Sequence, residues 1–155
     1  MAFTFNIEPF VGAMPVRFGM DRSEVHLLLG PPETSHPIWD RSGTTDDWNE
    51  SRINVGYDNA GIVRHIGFGP GGCELSVCGT LLWSLDEQPD PNPHLLRRDP
   101  APVESLGILI YSGLGISTSG YHDGAEEQLA LTASPIGTWD DVVRHARRPD
   151  LSKYQ

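Results

Sequence analysis

The chain has 155 residues and a mass of 17.0 kDa, with 38% hydrophobic and 21% charged residues. That suffices for one domain with its own core and does not suit a fibre or a disordered tail. A net charge of −10, from 21 acids against 11 bases, argues against gripping nucleic acid or an anionic membrane, and no apolar run approaches the roughly 18 residues of a membrane span.

The N-terminus, Met-Ala-Phe-Thr-Phe-Asn-Ile-Glu, has no basic region and no long apolar stretch. A secretory signal is therefore not expected, and a cytoplasmic setting fits. The first clear element follows. Asp21 stands where it could cap a helix, with Glu24 reaching back as in a capping box and Met20 against Val25 as a staple. Val25, Leu28 and Leu29 form one apolar stripe, Gly30 ends the run, and Pro31-Pro32 forbids its continuation. The pattern predicts a helix over 22–29.

Residues 33–50 are polar, with Trp39 and Trp48 among Asp40, Asp46, Asp47 and Glu50, and read as a loop ending in a strand at most. Ile53, Val55 and Tyr57 alternate, Asp58-Asn59-Ala60-Gly61 turns, and Ile62, Ile66 and Phe68 return. This predicts a hairpin, 52–57 with 62–68. After Gly69-Pro70-Gly71-Gly72, Leu75 and Val77 suggest a third strand of a meander. Five prolines between 86 and 102 read as a loop, a candidate joint between two halves of one domain over 1–155. Residues 103–119 suit a short helix or turn and then a strand near 114–119. Asp123-Gly124 turns the chain, and Leu129, Leu131 and Ala133 alternate on the way back. Thr138 and Asp141 predict a last helix, with Arg147 and Arg148 at the negative end of its dipole and Pro149 after it. The expected fold is α+β: an antiparallel sheet of five or six strands with two or three short helices packed on it.

Chemistry-bearing motifs are few. Gly67-Phe68-Gly69-Pro70-Gly71-Gly72 matches G-x-G-x-x-G, but a strand follows where a dinucleotide site needs a helix, so it reads as a glycine-rich turn. The six histidines show no metal-ligand spacing, and Cys73 and Cys78 read as buried thiols that do not bond each other. No cofactor is expected. The acids fall in three clusters: Asp46, Asp47 and Glu50; Asp86, Glu87 and Asp90; Asp123, Glu126 and Glu127. The first 143 residues hold 20 acids and 7 bases, a net of −13. Acidic loops of this kind complement a basic partner and steer it. Trp among acids is the composition of an interface anchor.

Phe18-Gly19-Met20-Asp21-Arg22-Ser23-Glu24-Val25 through Leu29-Gly30-Pro31-Pro32 resembles the G-M-x-x-x-E-V-x-x-x-L-G-x-P helix of small bacterial α+β proteins. Similar helices open the repeats of the β-lactamase-inhibitor-protein-like and outer-membrane-assembly small lipoprotein folds, where antiparallel strands follow. Leu114-Gly115-Ile116, Gly120-Tyr121 and Thr138-Trp139-Asp140 are similar to stretches of small cytosolic immunity proteins of polymorphic toxin systems. The resemblance implies an inhibitor that neutralises a toxin domain by occlusion, so no catalytic residue carries over. The expected function is a non-enzymatic binding protein whose acidic loops cover a basic active-site cleft. Its expected contacts are Asp46, Asp47, Trp48, Glu50, Asp86, Glu87 and Asp123. The alternatives are a small enzyme using His65, His94 or His122 with nearby acids, or a small-ligand-binding domain.

Overall fold

The computed structural model describes residues 3–155. β1 (Phe3–Glu8) turns Phe5 and Ile7 inward and pairs with β2 (Gly12–Met14), which pairs with β3 (Val16–Arg17). The predicted helix follows as α1 (Arg22–Leu29), closed by Gly30 at φ 81° with its N–H on the His26 carbonyl. Its local signals are partly realised. Asp21 holds the cap position without a side-chain cap bond, so the expected capping box does not form. Val25 and Leu29 are buried, but Leu28 is exposed, so the apolar stripe is narrower than expected.

The stretch 33–50 ends in a strand, as the expectation allowed, but its first part is a strand as well. It forms β4 (Thr34–Pro37) and β5 (Gly43–Trp48), which continue into the expected hairpin, β6 (Ile53–Asp58) and β7 (Val63–Phe68). Polar side chains hide the alternation of β5, because its inward position 46 is an aspartate with partners on other elements. β8 (Cys73–Val77) does not extend this meander. It crosses to pair in parallel with β1 and then turns into β9 (Thr80–Trp83). Gly72 makes the crossing possible: a Cβ there would lie 1.9 Å from the Ser51 carbonyl oxygen. Gly72→Ala should therefore lower stability by about 1–3 kcal/mol, read as the urea midpoint; an unchanged midpoint would mean that the two turns can part freely.

Burial pushes the Cys73 thiol up to about 12, which leaves it inert, whereas Cys78 is exposed in the β8–β9 turn and not buried as expected. The proline-rich stretch holds α2 (Asn92–Arg98), with Pro93 in the first turn where its missing donor costs nothing. Residues 103–119 carry no helix. They form β10 (Val103–Ser105), β11 (Ile108–Tyr111) and β12 (Ile116–Ser119), with Gly107 and Gly115 at positive φ in the connections. β13 (Ala130–Ala133) returns as expected. The last helix, α3 (Asp140–Arg144), starts late: the Thr138 hydroxyl donates to the Pro135 carbonyl instead of capping. Arg147 lies beyond the helix, its backbone paired with that of Glu104.

The fold is α+β, with two sheets among the described residues in place of the single sheet of five or six strands. The smaller runs β3-β2-β1-β8-β9 and the larger β10-β11-β12-β13-β7-β6-β5-β4. A helix followed by a four-strand antiparallel meander occurs twice, as α1 with β4–β7 and α2 with β10–β13, and the meanders join at β7 and β13. The core lies between the sheets, where the Phe5 and Phe68 rings meet edge-on at 5.2 Å. No helix among the described residues is long and apolar enough to cross a membrane.

Candidate functional site at the acidic end of the large sheet

Alternation along β5 separates the first acidic cluster. Asp46 lies opposite Ser35 and Val55 in the row facing the core, while Asp47 lies opposite Thr34 and Asn54 in the row facing out. Asp46 is fully buried and accepts hydrogen bonds from Arg22 Nε (2.9 Å) and Nη2 (2.6 Å), Ser35 Oγ (2.6 Å) and His26 Nε2 (2.7 Å). Burial alone would raise its carboxyl pKa. The bonds from Arg22, Ser35 and His26, with the charge of Arg22, outweigh burial and hold it at about 2. Trp48 is buried too, and its indole donates to the Gly30 carbonyl at 3.2 Å. Asp46 and Trp48, both expected as contacts, therefore belong to the core and leave the surface set.

The remaining expected contacts are accessible, and chain connectivity gathers most of them. Trp48, Ile53, Phe68 and Leu131 are joined in cross-strand register. The β5–β6 turn with Glu50, the turn after β7, and the β12–β13 loop with Asp123, Glu126 and Glu127 thus leave the same end of the large sheet. Glu33, just before β4, is there as well, its carboxylate accepting the Glu50 N–H at 3.1 Å. Asp86 and Glu87 are exposed in the loop after β9, whose Trp83 ring lies 6.4 Å from that of Tyr121. Glu33, Glu50, Glu126 and Glu127, dispersed in sequence, thus lie at one end of the sheet, whereas Asp123 lines a separate pocket there with Arg147 and Arg148.

Next to this acidic end a groove of about 320 Å³ opens on the outer face of the sheet. Asp47, Asn54, Gly67 and Thr132 lie in one cross-strand row along it, and Asn49 and Arg52 border it at the sheet end. A Cβ on Gly67 would lie 2.6 Å from the Asn54 amide, so that amide rests across the glycine.

A second polar cluster joins residues far apart in sequence. Glu104 on β10 receives Arg147 Nε at 2.6 Å and His122 Nε2 at 2.5 Å, and the Arg147 Nη2 atom also contacts it. With Asp123, Arg148 and Asp150 these residues line a pocket of about 330 Å³. The His122 side chain is 3% exposed, and its Nδ1 is buried with no hydrogen-bond partner among the described residues. Among the described residues neither of the other two candidate histidines pairs with a carboxylate. His65 lies over Gly56, and burial lowers its pKa. His94 accepts from Arg98 Nε at 3.2 Å, and burial together with Arg98 and Arg97 lowers its pKa. Among the described residues no group of three His, Cys, Asp or Glu side chains could hold a metal ion.

No family model, curated protein or solved structure matches the chain. The geometry of these two sites therefore carries the functional argument. A sequence signal for the Glu104 cluster exists only in part: His122 was visible beside Asp123, but its partner is Glu104, 18 residues away.

Proposed function

We propose that the protein is a cytoplasmic binding protein of the immunity type, which neutralises a toxin by laying its acidic rim over a basic active-site cleft. The observation that supports this reading is the convergence of Glu33, Glu50, Asp123, Glu126 and Glu127 at one end of the large sheet, next to an open polar groove. Clefts that hold phosphate are basic, and carboxylates on a rigid rim present the matching charge without a reacting group. The partners are thus a toxin or other basic protein domain, with nucleic acid and membrane disfavoured by the same charge.

The test is affinity capture at moderate and high salt, followed by inhibition of the captured partner. The expected result is one stoichiometric basic partner, weakened by salt and blocked at a 1:1 ratio. Glu50→Lys combined with Asp123→Lys and Glu127→Lys should slow association about tenfold or more and flatten its salt dependence, read by stopped-flow or surface kinetics. Capture of no basic partner, or a captured partner left fully active, overturns the reading.

One observation favours a second reading, a small enzyme: His122 and Glu104 sit within hydrogen-bond distance in a pocket. Stoichiometry separates the two. A binding inhibitor titrates its partner to an equivalence point, whereas an enzyme acting on the partner inactivates it in catalytic excess.

A further inference from the structure

We propose that the groove across β5, β6, β7 and β13 is a socket for one arginine or lysine side chain of the partner, received by Asp47. The partner's identity rests on the function proposed above; the socket itself does not.

Three observations carry it. First, the polar groups of the groove are free. Asp46 and Glu104 are saturated by internal bonds, but Asp47 engages only Oδ2, with His36 Nδ1 at 3.0 Å and a long contact from Thr34 Oγ1 at 3.5 Å. Asp47 Oδ1, the Asn49 and Asn54 amides and the Thr132 hydroxyl make no side-chain hydrogen bond among the described residues, although all line one groove. Those groups offer four acceptor oxygens around a row of strands, which suits the several donors of a guanidinium or ammonium. Second, the flank beside Asp47 favours a cation. Asp47 and Arg52 are the charged residues of the lining, and Glu33 and Glu50 join the Asp47 side, the Glu33 N–H on the Asp47 carbonyl and the Glu50 N–H on the Glu33 carboxylate. The Arg52 stem packs at the groove border against Gly69, where a Cβ would lie 3.4 Å from the Arg52 Cβ. One cation on the wall limits the socket to one guest charge and disfavours a polybasic stretch. Third, the shape admits a slender group. Gly67 leaves the floor without a side chain, and the Asn54 amide lying across it supplies a flat polar base.

The experiment titrates the isotope-labelled full chain with Nα-acetyl-L-arginine amide, with Nα-acetylglycine amide as the neutral control, and follows backbone and Asn amide shifts by NMR. Saturable shifts at Asn54, Gly67 and Thr132, absent with the neutral control and at least tenfold weaker in Asp47→Asn, support the socket. Thr132→Val, which keeps the side-chain shape, should weaken binding several-fold and guards against an Asp47→Asn variant that is merely misfolded. Shifts that fail to saturate, or that persist unchanged in Asp47→Asn, overturn it. Free arginine binding tenfold tighter than the capped form also overturns it, because the site would then be built for an amino acid. With a captured partner, Asp47→Asn should speed dissociation at least tenfold, whereas the rim reversals act on association. Unchanged dissociation overturns the socket and leaves the binding function intact. Saturable arginine binding without any basic partner does the reverse.

Discussion

Asp46→Ala should lower stability by about 2–4 kcal/mol, among the largest losses expected from any single side chain here, and below a wholly buried network because Arg22 and His26 are 37% and 33% exposed. The carboxylate is fully buried and is the shared acceptor for Arg22, His26 and Ser35. Its removal strips the Arg22 guanidinium of its two-pronged partner and leaves it the weaker contact with the Tyr57 ring, 5.6 Å from its head. It also unties α1 from β4 and β5. Urea unfolding of Asp46→Ala and Asp46→Asn reads the effect, and a loss below about 1 kcal/mol would show that water replaces the network at little cost. The same group sets an acid signature. Its folded pKa is about 2, below the ordinary value of 3.8, so its contribution is fully present above pH 4 and is lost as pH falls through 2. A shift of this size corresponds to about 2 kcal/mol at neutral pH. Stability of the native chain should therefore fall between pH 4 and 2 more steeply than that of Asp46→Asn. Parallel profiles would remove Asp46 as the cause.

Glu104→Ala is expected to cost about 2–3 kcal/mol, less than a wholly buried pair because Arg147 is 79% exposed. The larger consequence is local. Glu104 holds the C-terminal segment through its carboxylate as well as through the backbone pairing of the two residues. Beyond it, Tyr154 donates to Asp90 Oδ2 at 2.6 Å and accepts from Asn92 Nδ2 at 3.0 Å, which anchors the end of the chain over α2. Loss of the Glu104 carboxylate should raise the rate of tryptic cleavage at Arg147 and Arg148 severalfold under native conditions. An unchanged cleavage rate would mean that the Tyr154 anchor suffices. A Glu104 variant that loses stability and tail protection yet still titrates the partner one to one would mark the His122–Glu104 pair as a latch and not a catalytic dyad.

The bonds around Asp46 and Glu104 show why much of the site was hidden. In a polar stretch an inward aspartate breaks the period-two pattern that reveals a strand, so 33–50 reads as a loop that ends in a strand at most, and the β4–β5 pairing is hidden. The burial of Asp46 is tolerable only because Arg22, His26 and Ser35 converge on it from α1 and β4, and that convergence has no local trace. The acidic clusters were legible as acidic, and those around Glu87 and Glu126 as loops, whereas Asp46 and Asp47 lie on a strand; the arrangement at one end depends on strand pairings such as Leu131 with Phe68, 63 residues apart.

The sequence by itself determined what short-range physics governs. α1 follows from apolar spacing and from Gly30 with the prolines behind it, the β6–β7 hairpin from alternation around Asp58–Gly61, and the net charge of −10 from the count of acids and bases. Tertiary structure alone decided that β8 leaves the meander for β1, that Asp46 faces in while Asp47 faces out, and that the rim and groove exist at all. The physical reason is that periodicity and backbone sterics act over a few residues, whereas register, sheet order and the partners of a buried charge are chosen by packing energies summed over the whole chain.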